Sequence, residues 1–254
     1  NAATTLALPP LPTAIHATNS SSPSPQALLA DAPPEAQAKL FSRKGFRERS
    51  TRNALRLFGD GPIDYANYRT NLSSSGAHTQ NGRQETDTIS RLVYGFASAY
   101  LVTGKDVYLE AANKGTEYLR DHLRFVDQAD DIVYWYHAVD IKANGGEQKI
   151  LASEFGDDYD ALPCYEQIYA LAGPVQTYRI TGDKAIYEDT RRTINLFNRY
   201  YKDQSPAGGY YSHIDPIMLD AHSENLGRNR ARKNWNSVGD HAPAYLINLW
   251  LATG

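Results

Sequence analysis

The sequence predicts an all-α fold of helical hairpins set side by side, with short β-hairpins between the helical pairs. Three observations carry this. Thr88–Thr103 is amphipathic, with apolar residues at Ile89, Leu92, Val93, Phe96, Ala97, Tyr100 and Leu101, the i, i+3, i+4, i+7 spacing of one buried helix face. A second such segment follows after a short turn, which makes an antiparallel helical hairpin. Finally, Tyr100-Leu-Val-Thr103-Gly104 returns as Tyr178-Arg-Ile-Thr181-Gly182 and as Trp250-Leu-Ala-Thr253-Gly254. Gly104 to Gly182 is 78 residues and Gly182 to Gly254 is 72; self-similarity at a near-fixed period marks a repeat architecture.

Taken in order, residues 1–35 are rich in Ala, Pro, Ser and Thr and read as an extended tail. Residues 36–254 read as one helical domain. Residues 36–58 suit a helix whose basic residues (Arg43, Lys44, Arg47, Arg49, Arg52) form a solvated face or grip a partner. The Thr88–Thr103 helix takes Asp87 or Thr88 as its cap and Gly104 as its stop. Its partner, about Lys105–His122, buries Tyr108, Ala111, Ala112, Gly115, Tyr118 and Leu119. In the second copy, a helix over about Lys184–Tyr201 stacks Tyr187, Thr190, Ile194, Phe197 and Tyr201. Between the pairs, Trp135–Asp140 echoes Tyr210–Asp215, and alternation with Gly208-Gly209 suggests β-hairpins; Tyr65 to Leu72 is a weaker relative. The third copy stops at Gly254 without its partner helix, so a ring of such pairs is expected not to close with these residues alone.

Composition narrows the function classes. Of 254 residues, 41% are hydrophobic and 22% charged, ordinary globular usage that excludes a wholly disordered chain. Net charge is −3 without a long basic run, which argues against nucleic acid. No run of 18 apolar residues exists, hence no transmembrane helix is expected. The one cysteine, Cys164, excludes an internal disulfide framework and a Cys-based zinc site. There are 18 Tyr against 7 Phe, which suits either a wet, ligand-holding concavity or a core built with Tyr. HExxH, GxGxxG, P-loop and GxSxG patterns are all absent. Asn19-Ser-Ser and Asn71-Leu-Ser match a glycosylation acceptor, a pattern that chance supplies easily.

When the three copies are aligned on Thr-Gly, Arg91, Tyr169 and His241 each fall 12 residues before their threonine. They therefore share a rung. Arg91, Tyr94, Gly95 and Ser98 form a face distinct from the apolar stripe. Arg91 then either faces a shared cavity or pairs with Asp87. His241 follows Lys233–Asp240, a cluster of amide, indole and carboxylate groups that includes Asn236, and imidazole is the usual neutral-pH proton carrier. His137 and His213 lie on the aromatic segments, as does Trp135, and are expected to point into the same mouth. His122 ends a helix, where a cation favours the dipole.

Ser90–Ala97, the repeated Tyr-x-x-Thr-Gly, Gly208-Gly209-Tyr210-Tyr211 and Asn234–Tyr245 resemble the N-acylglucosamine 2-epimerase superfamily, which includes cellobiose 2-epimerases, from about residue 50 to Gly254. The resemblance implies an (α/α)6 toroid, proton transfer at the carbon beside an open-chain sugar carbonyl, and no redox cofactor. Arg91 matches the family arginine of the first inner helix, and His241 approximately matches a family histidine. Departures are present: four residues, not three, separate Asn236 from His241; Ala244 stands where the family has glutamate; and the half that would carry the other catalytic histidine is absent from this sequence.

The expected site is thus His241 and Arg91 as catalytic residues, with Tyr94, Tyr169, Trp135, Asn236 and His213 binding a sugar, and neither a metal nor a cofactor. One alternative is a non-catalytic subunit whose open helical edge meets a protein partner. Another is a toroid that binds or cleaves carbohydrate, for which Glu166, Asp215 and Glu224 are the candidate carboxylates. The resemblance implies a cytoplasmic protein, while the processed-looking start leaves export open.

Overall fold

The computed structural model describes Tyr68, residues 82–239 and residues 241–254. The expected tail, the basic helix over 36–58 and all but one residue of the Tyr65–Leu72 segment lie outside the described residues.

Strand β1 (Arg83–Glu85) leads into helix α1 (Thr86–Thr103), which turns into α2 (Asp106–His122). Strands β2 (Arg124–Asp127), β3 (Ile132–Trp135), β4 (Ala138–Ile141), β5 (Glu147–Ile150) and β6 (Leu162–Pro163) follow. Helix α3 (Cys164–Thr181) then pairs with α4 (Lys184–Leu196), which continues through a wide turn at Phe197–Tyr201. Strand β7 (His213–Ile214), a tight helical turn at Glu224–Asn229 and a wide turn at Trp235–Gly239 lead to α5 (His241–Thr253). Helices α1, α3 and α5 lie side by side as inner helices, with α2 and α4 behind the first two. This arc of helical hairpins is part of an α/α toroid.

The Thr-Gly repeat is a helix stop used three times. Gly104, Gly182 and Gly254 adopt φ of 66°, 67° and 83°, the left-handed region in which a Cβ is penalised. Their N–H groups donate to the carbonyls of Tyr100, Tyr178 and Trp250 at 2.7, 2.8 and 2.9 Å. Each threonine hydroxyl donates back to the carbonyl four residues earlier: Thr103 to Ala99, Thr181 to Thr177 and Thr253 to Leu249. At the other end of α1 the expected cap is not made. The helix starts two residues earlier than read, from Glu85, without a side-chain cap, and the N–H of Thr86 donates to the His137 carbonyl at 3.1 Å. Leu101, read as part of the buried stripe, is exposed.

The aromatic segment Trp135–Asp140 is not one hairpin. Strand β3 pairs with β2, whereas β4 pairs with β1 on one side and β5 on the other, so the segment crosses between two sheets. Trp135 sits in the core at 1% exposure. Its indole N–H donates to Thr193 Oγ1 at 3.1 Å, and the Gln167 amide both accepts from its backbone N–H and donates to its carbonyl. The β2–β3 loop is tied to α4 by Asp131, which accepts from Arg191, Arg192 and Asn195.

Helix α3 is buried on nearly every side, as a helix clasped by α1, α4 and α5 must be. A Cβ on Gly173 would lie 2.4 Å from the Ser90 carbonyl oxygen, so glycine there permits the close approach of α1. Pro174 removes one helical N–H and leaves the Ala170 carbonyl without its usual donor. Ser90 fills this seam. Its hydroxyl accepts from Gly173 N–H at 2.9 Å, donates to the Tyr169 carbonyl at 2.5 Å and stands 3.3 Å from the Ala170 oxygen.

Candidate active site

The N-terminal turns of the three inner helices converge. Arg91 places its Cζ 5.0 Å from the Tyr169 ring centre, and the His241 ring lies 5.0 Å from the same ring at 71°. The shared rung therefore exists as a physical row: guanidinium, phenol, imidazole. One turn further along, Tyr245 packs 5.0 Å from Tyr169, and Tyr94 meets Tyr245 edge-on at 6.4 Å. Asn248 donates to the Tyr94 hydroxyl at 3.4 Å. Tyr165 closes the row from the other side, with ring centres 5.4 Å from His241 and 6.0 Å from Tyr169.

Arg91 takes the pairing alternative: Nη2 donates to Asp87 Oδ2 at 2.5 Å, while 49% of the side chain stays exposed. A guanidinium fixed by a carboxylate and stacked on a phenol keeps donors free for a ligand anion. Burial pushes the Tyr165 and Tyr169 phenols above their ordinary range, so near neutral pH both keep their proton, that of Tyr165 being given to Asp158 in a hydrogen bond.

Two buried histidine–carboxylate pairs flank the first turn of α3. His137 Nδ1 lies 2.9 Å from Glu166 Oε1. Burial raises the Glu166 pKa against the opposing pull of His137; at His137 burial works to lower it, but the bond to Glu166 and its charge outweigh that and raise it. On the other flank, His213 Nε2 lies 2.5 Å from Asp158 Oδ1, and Tyr165 donates to Asp158 Oδ2 at 2.9 Å.

The structure thus gathers Arg91, Tyr169, His241 and Tyr94 from the expected set. It separates the other three. Trp135 is a core residue, because its indole is sealed between α3 and α4. His213 is buried and is linked to Tyr165 through Asp158. Asn236 lies exposed on the wide turn before α5, with its backbone N–H on Asn234 Oδ1 at 3.0 Å. His137, expected at the mouth, is likewise buried, and His122 stacks on Tyr118 and meets Glu147. Tyr165 and Tyr245 join the row beyond the expected set; each stands four residues from a rung residue, the spacing that shares a helix face. Among the carboxylates read for bond cleavage, Glu166 is taken up by His137, Asp215 accepts from Ile217, Met218, Ser223 and Asn225, and Glu224 is exposed.

Compared with known proteins, the sequence matches no family profile and no curated protein. Its structure is similar to that of a D-mannose isomerase (TM-score 0.53, 17% identity, covering 87% of this chain and 53% of that one). It is also similar to the cellobiose 2-epimerase of Bacillus thermoamylovorans B4167 (TM-score 0.50, 17% identity, covering 70% of this chain and 42% of that one). The chain has their fold. It spans about half the length of either structure. Among the described residues, no group of three or more His, Cys, Asp or Glu is arranged to hold a metal ion, and no helix is long and apolar enough to cross a membrane.

Proposed function

We propose that this chain carries part of the active site of a sugar 2-epimerase or isomerase. The observation that carries the reading is the row itself: Arg91 and His241 brought to two sides of Tyr169 at the N-terminal turns of the inner helices. The likeness to an isomerase and an epimerase of sugars supports it at the level of fold. In this reading His241 moves the proton on the carbon beside the open-chain carbonyl, the task to which a neutral-pH imidazole is suited. Arg91 stabilises the negative charge that grows on the carbonyl oxygen as the proton leaves. Tyr94 and Tyr169 supply hydroxyls and ring faces for a polyhydroxylated ligand. Asn236, on the turn entering α5, is an outer contact at most.

The test is solvent-hydrogen exchange at C2 of D-mannose and cellobiose in D2O, followed by NMR. The wild-type protein should wash deuterium into C2. His241→Ala should slow this by about a hundredfold or more, the share general acid–base catalysis usually supplies. Exchange at the wild-type rate in that variant would remove His241 from the role, and no exchange in the wild type would remove the reading.

One observation favours a second reading, a subunit built on this arc that binds a protein partner. Ile247, Trp250 and Leu251 are exposed together along α5 at 53, 65 and 52%, an apolar strip of the kind that marks interfaces.

A further inference from the structure

Asp158 is a buried carboxylate with no part in the chemistry proposed above. Burying a carboxylate is costly unless both oxygens are satisfied, and here both are: Oδ1 faces His213 Nε2 at 2.5 Å and Oδ2 accepts from the Tyr165 phenol at 2.9 Å. The other ring nitrogen of His213 lies 2.7 Å from the Ser212 hydroxyl, which donates to the Arg232 carbonyl at 3.0 Å. The scaffold on either side is fixed. Cys164 N–H donates to the Ser212 carbonyl at 2.8 Å, and Pro163 pairs with His213 across β6 and β7. Asp158 itself ends a tight turn, and the adjoining Asp157 carbonyl accepts from Asn229. The chain Ser212–His213–Asp158–Tyr165 therefore runs from rigid backbone to one ring face, and that face lies 5.4 Å from His241 at a tilt of 35°.

We infer that Asp158 and His213 are positioning residues: they hold the Tyr165 hydroxyl so that its ring fixes the orientation of His241. Tethered at its oxygen, the Tyr165 ring is held against the imidazole; without the tether only its packing opposes rotation about its side-chain torsions. The charged and titratable groups around this contact are Asp87 and Arg91 from α1, Glu166 and Tyr169 from α3, Tyr245 from α5 and Arg228 from the Glu224–Asn229 turn. The imidazole is held whatever reaction it serves; only the catalytic consequence rests on the epimerase reading.

Two readouts test this on the intact protein. The first is the NMR position of the His241 ring protons, which the ring current of Tyr165 sets. Asp158→Ala and Tyr165→Phe should displace these signals, and the double variant should displace them no further than either alone, since both cut one tether. Asp158→Asn, whose amide oxygen can still accept from the phenol, should restore most of the wild-type position. The Trp135 indole N–H signal should stay where it is in every variant, reporting an undisturbed core. The second readout is C2 exchange, where Asp158→Ala should lower kcat about tenfold to a hundredfold, the cost of a small misplacement, and leave KM near its wild-type value. His241 signals that stay fixed in Tyr165→Phe, or that shift additively in the double variant, overturn the inference. Should Asp158→Ala not fold, Tyr165→Phe decides alone. A wild-type protein without exchange activity sinks the functional reading and leaves the ring-proton test intact.

Discussion

Asp215 shows what a single buried carboxylate does in this chain. Burial works against its charge, but hydrogen bonds from the Ser223 hydroxyl, the Met218 N–H, the Asn225 amide and the Ile217 N–H outweigh this and hold its pKa at about 2. A carboxylate whose folded pKa lies below its unfolded value of 3.8 stabilises the fold above that value and ceases to do so as pH falls through the folded one. Its contribution is on the order of 2 kcal/mol. The stability gap between wild type and Asp215→Asn, measured by urea unfolding, should therefore be widest at pH 5 and close as pH drops from about 4 to about 2. A gap independent of pH would show that the carboxylate charge is not what the loop needs. At this scale the sequence is informative where helical spacing applies. Arg91, Tyr169 and His241 were legible because three helices share one stop signal and therefore one register. Asp158 and Glu166 were not, because their partners are 55 and 29 residues away and nothing local announces the pairing.

At the scale of elements, the same distinction separates helices from strands. The stripe on α2 and the stack on α4 follow from 3.6-residue periodicity and came out as read. Trp135–Asp140 resembles Tyr210–Asp215 in composition, yet its halves join different sheets because β4 finds β1 as a distant edge. Strand pairing is decided by what lies alongside, and alternation alone does not name the neighbour. The α1–α3 contact offers a direct measurement. Gly173→Ala would put a methyl group against the Ser90 carbonyl and Val93, where both neighbours are helix-bound and cannot yield. The expected loss is about 1–3 kcal/mol, against a slight gain from helix propensity if the contact were loose. Thermal or denaturant unfolding distinguishes the two by sign.

For the molecule as a whole, the fold was legible because a repeat multiplies each weak signal, and the three Gly stops tell the same story independently. The environment of the last inner helix was harder to read. Helix α5 carries a mean composition as apolar as that of a core element, but Ile247, Trp250 and Leu251 face outward among the described residues. If that strip meets a partner or a second copy, sedimentation at rising concentration should show association, and Trp250→Glu should abolish it while leaving C2 exchange unchanged. A monomer at tens of micromolar would leave the partner reading without its main support.

The serine seam between α1 and α3 has a consequence for motion. A helix with an internal proline is short of one of its own rungs, and here the neighbour's Ser90 hydroxyl stands at the break, accepting from Gly173 N–H and donating to the Tyr169 carbonyl. The half of α3 that bears Tyr165 and Tyr169 thus owes part of its closure to α1, and α1 owes its seat to the glycine beside that proline. Neither helix can breathe by itself. Local opening there is a shared event, so the two walls of the row that hold Arg91 and Tyr169 either keep their spacing or lose it together.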